Sequence, residues 1–200
     1  DSAVELFGDA DIWYGSIGII QDITERKLVE SSLRQRESLF QALTFAAEQF
    51  LKASNWRETI ERVLEKLGRE FNVSHAYLFE KHPGPQDTQL TSMTYEWTAP
   101  GLVSDLGNPI FQDIEPKADG EFERFYSILD SGEPLVADHT FVNEFEKEYL
   151  RSLGVKALLE IRVIVNGQQW GTLGFDEVTN ERTWTRAEID VMKVAASMLG

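Results

Sequence analysis

The apolar positions of this 200-residue chain change period along its length. Residues 4–21 read as two strands. Val4-Glu5-Leu6-Phe7 and the run from Ile12 to Ile20 are apolar and rich in strand formers, and Gly8-Asp9-Ala10-Asp11 between them is turn chemistry. Two strands bury too little to stand alone, so this segment reads as the end of a domain that begins elsewhere. From Asp22 the pattern becomes helical. Asp22 and Glu25 have the spacing of a capping box, and neither glycine nor proline interrupts the chain as far as Ala53. Val29, Leu33, Arg36, Phe40, Leu43, Ala47 and Phe50 alternate steps of four and three, a heptad seam broken once by Arg36. That seam favours a dimeric coiled coil over an amphipathic helix lying on its own domain. Leu39, Ala46 and Leu51 fall off the seam, where they could dock on the domain C-terminal to the helix.

Residues 54–200 form a mixed unit. Asn55 and Glu58 repeat the capping-box spacing, and Trp56, Ile60, Val63, Leu64, Leu67 and Phe71 mark one helical face. Strands are expected at 74–81 and 88–97, parted by the breaker-rich 82–87, with an irregular stretch over 98–120. Helices are expected from Glu121 to Ser131, ended by Gly132, and from Asn143 to Leu153, stopped by Gly154, with a short strand at Pro134-Leu135-Val136-Ala137 between them. Lys156–Val165 and Gln168–Asp176 read as a hairpin, and Thr185 with Glu188 caps a final helix. Hairpins interleaved with helices predict an α+β fold with a mostly antiparallel sheet and helices on both faces, preceded by the long helix and the β-hairpin remnant.

The turn of the last hairpin decides which side chains share a face. A two-residue Asn166-Gly167 turn pairs Val165 with Gln168 and sets Ile161 and Val163 beside Trp170 and Asp176. A three-residue turn with Gly167 as a bulge pairs Ile164 with Gln168, and gathers Ala157, Leu159, Ile161 and Val163 with Gly171, Leu173 and Phe175. The second arrangement keeps one face wholly apolar. A one-residue slip would invert every side chain, so the second arrangement is the expected one. It leaves Glu160, Arg162, Trp170, Thr172 and Asp176 on a mixed face, with Tyr126 and Trp97 bordering the space above it. These seven residues are the candidate ligand-binding set. Arg162 beneath Trp170 would favour a polar or anionic ligand group, and the aromatics an apolar part.

Composition narrows the chemistry. With no cysteine, disulfides, thiolate metal sites and thiol nucleophiles are excluded. His75, His82 and His139 stand in unrelated local contexts, none four residues from another, so no metal site is expected. Glu160, Asp176 and Glu177 supply carboxylates without a nucleophile–base pair, so no catalytic residue is expected. The net charge of −15 opposes nucleic acid and anionic membranes. Residues 1–23 carry five acids and no base, whereas 24–53 are near neutral, as befits a helix used for contact between protein surfaces. No apolar run approaches the ~20 residues of a membrane span, and no secretory signal opens the chain, so a cytoplasmic location with no direct membrane contact is the expectation.

Two resemblances attach to these segments. The stretch Gly18-Ile19-Ile20-Gln21-Asp22-Ile23-Thr24-Glu25-Arg26-Lys27 resembles the last strand and exit of a PAS sensor domain, where an Asp-Ile-Thr turn leads into a signalling helix. It covers residues 1–27 only, so no PAS ligand site carries over. Over residues 40–200 the chain resembles a GAF domain. The matching stretches are Tyr95-Glu96-Trp97, Gly154-Val155-Lys156-Ala157-Leu158-Leu159, Asn166-Gly167, Trp170-Gly171-Thr172-Leu173-Gly174-Phe175-Asp176 and Trp184-Thr185-Arg186-Ala187-Glu188-Ile189. Members commonly carry proline where Arg162 stands and an apolar residue where Glu160 stands.

The resemblance implies three segments: the C-terminal strands of a PAS domain at 1–23, a signalling helix at 24–53, and a GAF domain at 54–200. It implies a sensory module of a bacterial signalling protein of sensor-kinase or diguanylate-cyclase type, dimeric through the 24–53 helix, with a small-molecule cavity on the mixed face. A ligand-free dimerisation module is the alternative. Among known GAF ligands, bilins of most phytochromes need a cysteine. The reductase of free methionine sulfoxide uses cysteines, and the cyclic-nucleotide signature is not matched at Asn143-Glu144 or at Phe175-Asp176-Glu177. The cofactor is left unknown.

Overall fold

A computed structural model describes residues 2–7, 13–19, 22–53, 55–115, 120, 122–138 and 143–200. The turn expected at 8–11, part of the 98–120 stretch and His139 lie outside the described residues. The chain divides into two units, Asp1–Glu37 and Ser38–Gly200. In the first, β1 (Ser2–Phe7) and β2 (Trp13–Ile19) pair antiparallel from Ser2 opposite Ile19, with one irregularity at Leu6/Phe7. Helix α1 (Thr24–Lys52) has residues in both units. At its start the backbone amide of Thr24 donates to Asp22 Oδ1 (2.9 Å), an Asx contact where Glu25 was expected to complete a capping box.

The second unit is built on a five-stranded antiparallel sheet in the order β4-β3-β7-β6-β5, formed by β3 (His75–Pro83), β4 (Gln89–Thr98), β5 (Leu135–Ala137), β6 (Ala157–Val165) and β7 (Gln168–Glu177). Helices α2 (Ile60–Phe71), α3 (Glu123–Ser131), α4 (Glu144–Ser152) and α5 (Arg186–Leu199) complete it. Two cores lie on opposite faces of the sheet. One joins the C-terminal half of α1, α2 and α5 to Ala76, Leu78, Leu159, Ile161, Val163, Leu173 and Phe175. The other joins Leu129 of α3 and Leu150 of α4 to Tyr77, Phe79, Met93 and Leu158. Alternation along β6 therefore sends each successive side chain to a different core.

The α1 seam divides. Val29, Leu33 and Phe40 are exposed, at 63%, 66% and 68%, while Leu43 is buried with Leu39, Ala42 and Ala46 in the first core. Leu51 is 87% exposed, so it does not dock; Leu39 and Ala46 do. The side chain of Arg36 lies outside the description. Leu43 is a core residue because the domain's own α2 face offers apolar surface there, and burying a leucine is worth about 2 kcal/mol. Asn55 also departs from expectation. It caps a single 3₁₀ turn, Trp56–Glu58, by accepting from the amide of Arg57 (3.1 Å), and α2 starts only at Ile60. The Thr185–Glu188 capping box of α5 forms in full.

Two bulges set the faces of the sheet. In the last hairpin Val165 pairs with Gln168 and Ile164 with Gln169, so the Asn166-Gly167 turn has two residues, both at positive φ (51° and 77°). The ladder then slips between Val163 and Ile164, Val163 meets Gly171, and Trp170 is the extra residue. The apolar face predicted for 157–163 and 171–175 is present, but the bulge that makes it lies at Trp170 and not at Gly167. In β4 the ladder slips between Leu78 and Phe79, which face Tyr95 and Met93 and leave Thr94 between. Met93 and Glu96, three residues apart, thereby share a face with Phe79 and Tyr77.

Candidate functional site

Between the sheet and helices α3 and α4 lies a cavity of about 510 Å³. Its floor includes Tyr77, Phe79, Leu158, Glu160, Thr172 and Asp176. Its roof includes Phe122, Phe125, Tyr126 and Leu129 from the α3 segment and Tyr149 and Leu150 from α4. Phe111 and Ile114 close one side from the 98–115 segment. The roof is held as a unit. Arg124 of α3 grips the fully buried Glu146 of α4 through Nε (2.8 Å) and Nη2 (2.6 Å), and Phe122 stands edge-on to Phe125, Phe145 and Tyr149.

Four of the seven predicted site residues, Glu160, Thr172, Asp176 and Tyr126, line this cavity. Three do not. Arg162 leaves the floor at the edge, where Nη1 donates to the carbonyl of Asp130 (2.9 Å) and the side chain fills the space above Gly132. Trp170, thrown outward by its bulge, packs in the first core, edge-on to Trp56 (5.2 Å between ring centroids). Trp97 lies over Gly68 of α2 in the same core, because the Thr94 bulge turns it away from the cavity. Arg162 and Trp170 thus stand on opposite faces, and the cation–π pair expected between them is not made.

Glu160 is the polar centre of the floor. The Tyr77 hydroxyl donates to Glu160 Oε1 (3.3 Å), and Tyr126 and Tyr149 stand within its field. Burial pushes the Glu160 carboxyl up to about 7, the Tyr77 bond works against that, and the charge of Asp176 adds to it. At neutral pH, then, Glu160 is divided between an acid that can donate and a carboxylate that can only accept.

The far end of the cavity carries a second polar group that sequence spacing does not reveal. His75 Nδ1 lies 2.6 Å from Asp176 Oδ1, and His75 Nε2 lies 3.3 Å from the Val103 carbonyl. Burial lowers the imidazole's proton affinity, but the Asp176 bond and charge, with the charge of Glu96, outweigh it, and the net shift is upward. Asp176 is also raised, chiefly by burial and further by Glu96 and Asp105, against the pull of His75. Glu96 Oε2 accepts from Ser104 Oγ and from the amides of Asp105 (2.9 Å) and Leu106 (3.0 Å), whereas Glu96 Oε1 is buried without a partner. The signal for Glu96 was the Thr94 bulge, which reverses the parity of the strand and which no period in the sequence marks.

The lining is therefore acidic. Glu96, Asp105, Asp130, Glu160 and Asp176 face Lys81 as the sole base among the described residues. The polar or anionic ligand group expected from Arg162 has no guanidinium to meet here, because Arg162 is not in the lining.

The GAF domain profile matches residues 55–200. The chain belongs to the GAF domain family. It is 32% identical over 186 residues to the methanogenesis regulatory histidine kinase FilI of Methanothrix harundinacea (strain 6Ac), a match covering 93% of this chain and 21% of that protein. The chain thus spans about a fifth of that relative's length. Among solved structures, it is similar to the phycocyanobilin-bound GAF domain of a cyanobacterial phytochrome. The TM-score is 0.64 at 15% identity, covering 80% of this chain and 91% of that one. It is also similar to the blue-light absorbing form of the PixJ GAF domain of Thermosynechococcus elongatus, with TM-score 0.54 at 19% identity, covering 78% and 83%. At such identities these likenesses show the fold, and this GAF domain is a sensory module by family.

Proposed function

We propose that the chain is the input segment of a cytoplasmic signal-transduction protein of sensor-kinase or diguanylate-cyclase type. In this reading the GAF cavity takes a small molecule with an apolar body and a cationic or hydrogen-donating group. The observation that carries this is the aromatic cavity lined by five carboxylates, with Glu160 at its floor. A bilin, such as the phycocyanobilin bound by one of those solved GAF domains, fits less well. Its carboxylates would meet those five acids, and the chain has no cysteine to fix it. The likeness to a regulatory histidine kinase supports the signalling role. Residues 1–23 act as the closing strands of a PAS domain and residues 24–53 as the signalling helix. The chain catalyses no reaction and contacts neither nucleic acid nor membrane, in keeping with its charge of −15; among the described residues no helix is long and apolar enough to cross a membrane.

Transmission follows from β6. Leu158 and Glu160 face the cavity, while Leu159, Ile161 and Val163 face the core shared with α1 and α5. A ligand that shifts Glu160 moves the strand against which those helices pack. The test is a thermal-shift screen of amphiphilic amines, neutral amphiphiles and carboxylates of matched size. Stabilisation by the first two, lost in Glu160→Gln and Asp176→Asn, is expected; preferential stabilisation by carboxylates would overturn the reading.

A second role, dimerisation through α1, is supported by exposed Val29, Leu33 and Phe40.

A further inference from the structure

We infer that His75, Glu96 and Asp105 form a binding site for one divalent transition-metal ion, of the Zn²⁺, Mn²⁺ or Fe²⁺ class, at the end of the cavity. One nitrogen of His75 and one carboxylate oxygen from each acid lie within 4.8 Å of one another. An imidazole with two carboxylates is a donor set for these ions, which Ca²⁺ and Mg²⁺, with their preference for oxygen, would not select.

Three features show that the group is oriented for an ion. His75 Nδ1 is taken by Asp176 at 2.6 Å, so an ion would take Nε2 in place of the proton shared with the Val103 carbonyl, and Asp176 would be the outer carboxylate that metal-binding histidines commonly have. Glu96 is fixed by three donors on Oε2, so its buried, unpartnered Oε1 is presented at no further ordering cost. A buried acceptor without a donor is rare and calls for a water or an ion. Asp105 is held on one side only, by the Asn108 amide on Oδ1 (3.0 Å), which leaves Oδ2 for the ion. The Val103 carbonyl, 3.3 Å from Nε2, stands at about the separation of two ligands on one tetrahedral ion. His75 and Glu96 come from the sheet, whereas Val103 and Asp105 come from the segment after β4. An ion would therefore pin that segment to the sheet and close this end of the cavity. The site shares Glu96, Asp105 and Asp176 with the lining invoked above for an organic ligand, whereas Glu160 lies outside it, so Glu160→Gln should leave ion binding unchanged and separates the two.

The test is titration of the chelator-stripped 200-residue chain with Co²⁺, read by its visible d–d absorption, followed by displacement with Zn²⁺. One saturable equivalent is expected. Asp105→Asn and Glu96→Gln preserve the hydrogen bonds that order the segment, and each should weaken binding roughly 100-fold while circular dichroism stays unchanged; Asp176→Asn should weaken it roughly tenfold. His82→Gln removes the other described histidine with a nearby carboxylate, Asp113 at 3.5 Å, and should change nothing. No absorption band, or a band that survives Glu96→Gln and Asp105→Asn or disappears with His82→Gln, overturns the site and leaves Glu96 Oε1 to a water.

Discussion

The ring of Tyr77 lies across Gly174 to bring its hydroxyl to Glu160 on the next strand but one. A Cβ at Gly174 would stand 2.1 Å from that ring, so the glycine is what allows the bond. Gly174→Ala should displace Tyr77 and cost about 2 kcal/mol of stability, measured by urea unfolding. Wild-type stability in this variant would mean that Tyr77 has room elsewhere and that the bond to Glu160 is incidental.

Glu160 links stability to pH. Its folded value is raised from 4.5 to about 7, so the native state holds a proton that the unfolded chain has released. The contribution is full below about pH 4.5 and is lost as pH rises through about 7, on the order of 3 kcal/mol. Glu160→Gln should remove this fall. The difference between the two unfolding curves from pH 5 to 8 checks it, and parallel curves would rule it out.

The cavity roof depends on Arg124 and Glu146. Replacing Glu146, fully buried, with Ala removes the carboxylate between α3 and α4 and should cost about 3 kcal/mol. Faster hydrogen exchange over 123–131 and 144–152, with the sheet still protected, is the expected signature.

Trp170 and Trp97 should prove structural. Trp170→Ala loses the edge contact with Trp56 and should destabilise by about 2 kcal/mol, yet leave intact the affinity for any ligand found in the thermal screen. A selective loss of affinity would return Trp170 to the site.

Association through α1 should depend on its exposed residues alone. Val29→Asp with Leu33→Asp is expected to shift a dimer to monomer in sedimentation at tens of micromolar, an order of magnitude suited to a weak coil, with the GAF domain folded. Leu43→Asp should instead unfold the domain, because Leu43 lies in its core.

Periodicity alone determined most of the architecture. The long helix, the α2 face from Ile60 to Phe71, the Thr185–Glu188 cap and the α+β order follow from local spacing, which the backbone must satisfy wherever the segment ends up. Glu160, Thr172 and Asp176 were legible as cavity residues because matching the apolar face of β6 to that of β7 leaves them opposite it. The rest rested on events that no period records. A bulge adds one residue and inverts everything beyond it. The one at Trp170 moved that residue to the far core, and the one at Thr94 exchanged Trp97 for Glu96 at the cavity. Arg162 has the right parity, but it reaches the Asp130 carbonyl at the edge, because a guanidinium on a long stem goes to the nearest acceptor in its reach. Likewise His75, Glu96 and Asp105 are separated in sequence by a hairpin and a loop. Only the pairing of β3 with β4 and β7, and the return of the 98–108 segment over them, put their ligand atoms within 4.8 Å.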